Sequence, residues 1–348
     1  MKQRFRLVTT VFAAVSMLVT IGVARACADT VTLRFMHHED RFLITIPGGR
    51  HVPVVEMSQS QVARLRSIFM TLECRVNPEC QWLLPRGLEM PALLSPDQLE
   101  RAMVTGGDEL FAAFRGHLES ARHVVFEINW SMLKWPLDLL HFKEQPLFLT
   151  KEVSYRVGSA VPAPQSAISR ASRGLLISDV TADPQRAIFN IAAYFPRADR
   201  LDVGNVNRRR LSSMTTIDFL AISAHGHIDA GPSDSIRLHG EEWIVPQDLA
   251  RLKPKLVYFD SCRLGISSEF LRALQEAGTK AVLAPILSNE AGNSSTETIS
   301  VVFREISSGR RLPGALFAAR TRLYEKYHQD DVATRLWRSY PFRLYNFN

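Results

Sequence analysis

The residues best placed to do chemistry are a histidine and a cysteine, each lying just past a short apolar run. His225-Gly226 follows Phe219-Leu220-Ala221-Ile222-Ser223-Ala224, and Cys262 follows Leu256-Val257-Tyr258-Phe259-Asp260-Ser261. A free thiol, with a pKa of ~8.5, is only slightly ionised at neutral pH, so a cysteine that attacks a carbonyl needs a base beside it. Histidine is such a base, and it can return the proton to a leaving amine. The backbone amides of Gly226, where no Cβ blocks approach, and of Cys262 suit an oxyanion hole. Losing one such donor typically costs ~3 kcal/mol of transition-state stabilisation.

The surrounding elements say how the pair is held. Strands are predicted over 124–128, 174–178, 217–223, 255–260 and 281–285. Helices are predicted over 184–195 and 267–278, with two more opening near Ser295 and Pro313. Strands apolar on both faces and separated by helices imply a largely parallel sheet covered on both sides. Ligands bind such sheets outside the carboxyl ends of the strands, so His225 and Cys262 share one crevice if their strands are neighbours. Upstream, alternation from Val31 to Val55 with the turn Pro47-Gly48-Gly49 predicts short antiparallel strands. Ser58-Gln59-Ser60-Gln61 opens an amphipathic helix through Leu65, Ile68 and Phe69, and Leu83 to Pro96 reads as a linker. Ser95-Pro96-Asp97 caps a further helix, and a second amphipathic one is expected over about 108–120. Trp130, Trp135, Trp337 and the aromatic tail from Tyr340 to Phe347 read as core and terminal-strand packing.

The 348-residue chain opens with Lys2, Arg4 and Arg6, an apolar run from Leu7 to Val23, and small residues, the layout of a secretory signal peptide. Cleavage after Ala26 or after Ala28 fits the small-x-small pattern, with the second favoured; an uncleaved anchor is the competing reading. Removing residues 1–28 takes four basic residues and no acid, so the formal charge falls from +7 to +3. Nucleic-acid binding thereby loses its electrostatic support, and no stable membrane association is expected after cleavage. The chain is expected in the periplasm or outside the cell. In that oxidising setting Cys74 and Cys80, flanking the turn 75–79, are expected to form a disulfide. Cys262 is then the odd, unpaired thiol, which marks it as reactive.

Ser223-Ala224-His225-Gly226-His227 and Asp260-Ser261-Cys262-Arg263-Leu264-Gly265 resemble the two catalytic motifs of the caspase clan, and specifically of the CHAT domain. Leu133-Lys134-Trp135-Pro136-Leu137-Asp138-Leu139-Leu140 is similar to that family's Leu-Pro-x-Glu-Leu-Leu segment. It is followed as in the family by Pro146-Leu147-Phe148-Leu149 and a strand through Val153-Ser154-Tyr155. The stretch from Ala277 to Val282 and the helix with Pro313-Gly314-Ala315-Leu316 also match the family's closing pattern. Arg263-Leu264 and Ile286-Leu287 depart from it, which bears on the substrate pocket.

The resemblance implies an α/β, caspase-like fold, with a mostly parallel sheet flanked by helices over 98–348, preceded by a small N-terminal β/α region over 29–97. It implies a cysteine endopeptidase with His225 as base and Cys262 as nucleophile, acting on peptides or proteins without a cofactor. Asp260 stands where the similar metacaspases carry an acid lining the first specificity pocket, which would favour cleavage after Arg or Lys; equally, it caps the next helix or pairs with Arg263. With basic specificity, Arg208-Arg209-Arg210 becomes a self-processing site. Two other readings compete. His225-Gly226-His227-Ile228-Asp229 matches a His-x-His-x-Asp zinc pattern, but no histidine between His239 and His328 supplies further ligands, so no metal is expected. The stronger alternative is a catalytically silent caspase-like binding module or scaffold.

Overall fold

The computed structural model describes residues 29–38, 41–48, 53–84, 89–158, 168–228, 233–238 and 242–347. The signal-peptide assignment over 1–28 and its two cleavage points lie outside the described residues, as do Gly49 and Asp229.

The strands of the main sheet are β1 (Thr30–His38), β2 (Arg41–Thr45), β3 (Val55–Met57), β4 (His123–Ile128), β5 (Glu152–Val157) and β6 (Gly174–Ser178). They continue with β7 (Ala198–Asp202), β8 (Phe219–Ser223), β9 (Leu256–Asp260), β10 (Ala281–Pro285) and β11 (Phe342–Asn346). The eleven strands lie in the order β3-β2-β1-β4-β5-β11-β10-β9-β8-β6-β7. From β7 to β10 all neighbours pair parallel. From β1 through β4 and β5 to β11 they do so again. Between these two parallel blocks, β11 pairs antiparallel with β10, with Leu344 opposite Leu283.

The expectation of a large, mostly parallel sheet flanked by helices therefore holds. Its physical basis is visible along β6, β8 and β9. Leu175, Ile177, Leu220, Ile222, Val257 and Phe259 enter one apolar cluster, while Leu176, Phe219, Ala221, Leu256 and Tyr258 enter another. Both faces are covered, so period-2 alternation of polar residues has no place in these strands. The helices that matter below are α1 (Gln59–Cys74) and α2 (Pro96–Phe111), each opened by a capping box, Ser58 with Gln61 and Ser95 with Gln98.

Residues 29–97 do not stand apart from this sheet: β1 pairs parallel with β4 from Thr30–His123 to Arg34–Glu127, and Leu33, Leu65 and Ile68 share one core with Val257 and Phe259. Two predicted helices differ. The helix expected over 108–120 is instead the end of α2, followed by a tight turn and the short α3 (Arg115–Ser120). Gly106 and Gly107 lie inside α2, and a Cβ on Gly107 would lie 1.9 Å from the His141 carbonyl oxygen, so the glycine marks a close crossing rather than a break. The helix expected over 184–195 is a 3₁₀ run, Ala187–Ala193. There Arg186 takes a left-handed φ of 50°, and Asp183 draws in the amides of Ala187 and Ile188 at 2.7 and 3.0 Å, which tightens the turn.

The join between the two blocks carries a buried ionic cluster. The Asp138 carboxylate, fully buried, accepts hydrogen bonds from Tyr155 Oη at 2.5 Å, Tyr340 Oη at 2.7 Å and Arg320 Nη1 at 2.9 Å. Arg343 on β11, also fully buried, donates to the carbonyls of Leu133 and Trp135 at 2.7 and 2.8 Å and lies over the Tyr155 ring. Burial alone would raise the Asp138 carboxyl, yet the two guanidinium groups hold it below its ordinary value. An Asp138→Ala protein leaves two buried cations without their anion, and urea unfolding is expected to show a loss of ~3–5 kcal/mol.

Candidate functional site

The two predicted residues are brought together by register. In the parallel pair β8–β9, Ser223 stands opposite Asp260, so His225 and Cys262 each follow two residues later on adjacent chains. Contact between the two loops is direct: a Cβ on Gly226 would lie 2.6 Å from the Cys262 carbonyl oxygen and 3.4 Å from its amide nitrogen. Any other residue at 226 would push the loops apart, which is the close approach expected of this glycine. Gly265, in the turn after the cysteine, presses on the carbonyls of Ala284 and Pro285 in the same way, and its own carbonyl accepts from Tyr345 Oη at 2.5 Å.

His225 is exposed, and its Nε2 lies 2.9 Å from Thr181 Oγ1. Thr181 in turn donates its hydroxyl proton to Asp179 Oδ1 at 2.7 Å, and its backbone amide donates to the same oxygen at 2.9 Å. With the hydroxyl proton committed to Asp179, the oxygen accepts from His225, so the ring carries its hydrogen on Nε2 and leaves Nδ1 as a free acceptor. Asp179 and Thr181 sit just past the end of β6, which neighbours β8. They were not singled out from the sequence, although applying the strand-end rule to β6 as well would have found them.

Cys262 is half-buried and is the free cysteine among the described residues; Cys74 and Cys80 form a disulfide, as expected. Burial pushes the Cys262 thiol above its ordinary value, partly offset by the Asn289 backbone; Glu73 adds to the upward push and Arg263 opposes it. Sγ donates toward the Asn289 carbonyl oxygen at 3.9 Å. At rest the thiol is protonated.

Asp260 neither caps the next helix nor pairs with Arg263. Its Oδ2 accepts from Ser223 Oγ at 2.7 Å, and its Oδ1 accepts from Asn289 Nδ2 at 2.7 Å and from Ser295 Oγ. The residue is buried, and burial raises its carboxyl to about 6 in spite of the hydroxyls of Ser295 and Ser223. His227 stacks edge-on against Trp243 at 4.8 Å, and burial together with His225 and Arg237 lowers its pKa. Among the described residues no group of three or more His, Cys, Asp or Glu is arranged to hold a metal ion. Arg208, Arg209 and Arg210 are exposed but lie on a short helix, Arg208–Ser213, in which Arg208 pairs with Asp248 at 2.9 Å. Among the described residues, too, no helix is long and apolar enough to cross a membrane.

No protein-family model and no curated protein matches the chain. What the site can do must therefore be read from its own chemistry: a thiol, an exposed imidazole with an assigned free nitrogen, and main-chain amides at two touching loops.

The raised Asp260 pKa has a consequence for stability. A carboxyl whose pKa is higher in the folded state than in the unfolded chain favours the fold when protonated, and that contribution is lost as pH rises through about 6. Between about pH 4 and pH 8 the protein is expected to lose up to ~3 kcal/mol of unfolding free energy relative to Asp260→Asn, which does not titrate. Parallel unfolding curves that keep a constant gap across that range would refute a buried titrating carboxyl.

Proposed function

We propose that the protein is an exported, caspase-like cysteine endopeptidase of the CHAT type, with Cys262 as nucleophile and His225 as base. The observation that carries this reading is the packing of Gly226 against the Cys262 main chain at two adjacent strand ends. It sets the imidazole loop against the thiol loop, and in this reading the amides of Gly226 and Cys262 are the donors to the oxyanion.

In this reading the Cys262 proton passes to His225 Nδ1 as sulfur bonds to the substrate carbonyl carbon. The carbonyl oxygen becomes an oxyanion facing the two amides. The carbon–nitrogen bond then breaks, the proton passes from the imidazolium to the leaving amine, and water activated by His225 hydrolyses the thioester. The chain from Nε2 through Thr181 to Asp179 holds the ring and stabilises its positive charge. Because the resting thiol is protonated, proton transfer accompanies attack rather than preceding it.

Asp260 is the specificity acid in this reading, selecting Arg or Lys before the scissile bond. Of its three partners only Asn289 is partly exposed, so a basic side chain reaches the carboxylate by displacing that amide. The same saturation favours the second reading, a silent caspase-like binding module. Self-cleavage at Arg208 to Arg210 requires the short helix there to open, because peptidases take extended backbone. The Cys74–Cys80 disulfide supports export to the periplasm or beyond.

Hydrolysis of a fluorogenic peptide library by the mature protein is expected to show cleavage after Arg or Lys, abolished by both Cys262→Ala and His225→Ala. A folded protein that cleaves nothing would hand the assignment to the binding module. Thr181→Val is expected to lower kcat about tenfold with KM little changed, and Thr181→Ser to restore it. Equal kcat for Val and wild-type would remove Thr181 from the ring's support.

A further inference from the structure

One buried carboxylate outside the dyad touches both loops that frame the nucleophile. Glu73, near the end of α1, is fully buried. Its Oε2 accepts from the Ser288 amide at 2.7 Å, and its Oε1 accepts from Ser288 Oγ at 2.7 Å and from Asn77 Nδ2 at 2.9 Å. Arg263 Nε lies 3.8 Å from the same Oε1. Ser288 precedes Asn289, whose carbonyl meets the Cys262 thiol and whose amide meets Asp260. Arg263 follows Cys262 directly, with a left-handed φ of 62°, and its amide donates to the Leu287 carbonyl at 3.3 Å. The two loops are thus tied to each other and to one carboxylate.

That carboxylate is itself held from behind. Cys74, the next residue, closes the disulfide to Cys80, and Asn77 lies within the closed loop. Arg75 pairs with Asp331 and donates to Thr334 Oγ1 at 2.9 Å on the helix Val332–Ser339. From the other side, Trp337 Nε1 on that helix donates to the Ser288 carbonyl at 2.5 Å. The 288 loop is therefore clamped between α1 and the last helix, with Glu73 as its two-pronged acceptor.

We propose that Glu73 is a positioning residue of the active site, through which the disulfide-closed N-terminal region fixes the Cys262 and Asn289 loops for catalysis. This gives the 29–97 region a role in the peptidase and rests on the peptidase reading. Two hydrogen bonds from a single residue fix the direction of the 288 backbone as well as its position. The Glu73 carboxylate, with Arg263 Nε at 3.8 Å, is also felt by the thiol. The charged groups that act on Cys262 are Glu73 from α1 and Asp260 and Arg263 from its own segment, and the imidazole of His225 is the titratable group on the adjoining loop.

The test compares Glu73→Gln, Glu73→Ala and wild-type in two measurements on the mature protein with its disulfide intact. Gln has the same shape but no charge and can keep only part of the double acceptance. The first measurement is the rate of Cys262 alkylation by iodoacetamide against pH, which needs no peptidase activity. Glu73→Gln is expected to move the alkylation profile to lower pH by about half a unit, so that alkylation at neutral pH runs about threefold faster. The second is peptide hydrolysis, where kcat is expected to fall about tenfold in Glu73→Gln, and further in Glu73→Ala, with KM changed less. Faster alkylation with slower turnover is the signature of a positioning charge; a merely structural residue would leave the alkylation profile unmoved. An unchanged alkylation profile and unchanged kcat in folded Glu73→Gln would overturn the proposal. Should the wild-type protein cleave no peptide, the peptidase reading falls on that result, while the alkylation profile still decides whether Glu73 governs the Cys262 loop.

Discussion

The register between β8 and β9 is the constraint on which the site depends. Parallel pairing places Ser223 beside Asp260, and His225 and Cys262 each follow two residues after that pair. A slip of one residue would turn every side chain of one strand to the opposite face. Here that would exchange Leu220 and Ile222 with Phe219 and Ala221 between two separate cores, so the size and shape of these side chains, rather than polar alternation, set the register. The hydrogen bond from Ser223 Oγ to Asp260 locks the same pair at its polar end. Gly226 then allows the two loops to touch, converting strand order into contact between main chains.

A second constraint lies where the two parallel blocks meet. β11 runs antiparallel to β10 and parallel to β5, so the C-terminal strand belongs to one block by direction and borders the other by pairing. Its buried Arg343 reaches the carbonyls of Leu133 and Trp135, and Asp138 ties Tyr155, Tyr340 and Arg320 into the same cluster. Buried charges are expensive unless fully partnered, and such clusters favour one arrangement over near alternatives because few arrangements satisfy every member. The segment from Leu133 to Leu140 stood out in the sequence for its pattern. In the structure its acid is the anion that two buried arginines share.

Much of this was legible because the signals were local. Strand ends after continuous apolar runs, the serine and glutamine capping boxes of α1 and α2, and the short spacing of Cys74 and Cys80 are read from neighbours in the chain. The supporting groups were not, for a physical reason. Thr181 and Asp179 act on His225 from 44 and 46 residues away, and Glu73 reaches Ser288 across a separation of 215. No periodicity marks a threonine as a histidine partner or a helix-terminal glutamate as a clamp; only the strand order β9-β8-β6 and the attachment of β1 to β4 bring them in. Asp260 shows the opposite case. Its position was legible, but its burial and its three hydrogen bonds, which decide how available the carboxylate is, come from Ser295 and Asn289 on distant segments.

The electrostatics of the resting site fit these parts together. Around the thiol stand two buried carboxyl groups, Glu73 and Asp260, with Asp183 pushing further on Asp260, while Arg263 supplies a single nearby guanidinium. A negative surrounding and partial burial both disfavour a thiolate, so the Cys262 thiol is held neutral by the same groups that order its loop. A substrate that brings a basic side chain toward Asp260 would change that balance: it supplies positive charge close to Cys262 and displaces Asn289, the residue whose carbonyl the thiol meets at rest. On the peptidase reading, specificity and activation are then one event. In that reading the charge selected at Asp260 is also the charge that eases the proton from Cys262 to His225, so that a quiescent thiol reacts with basic substrates and spares others.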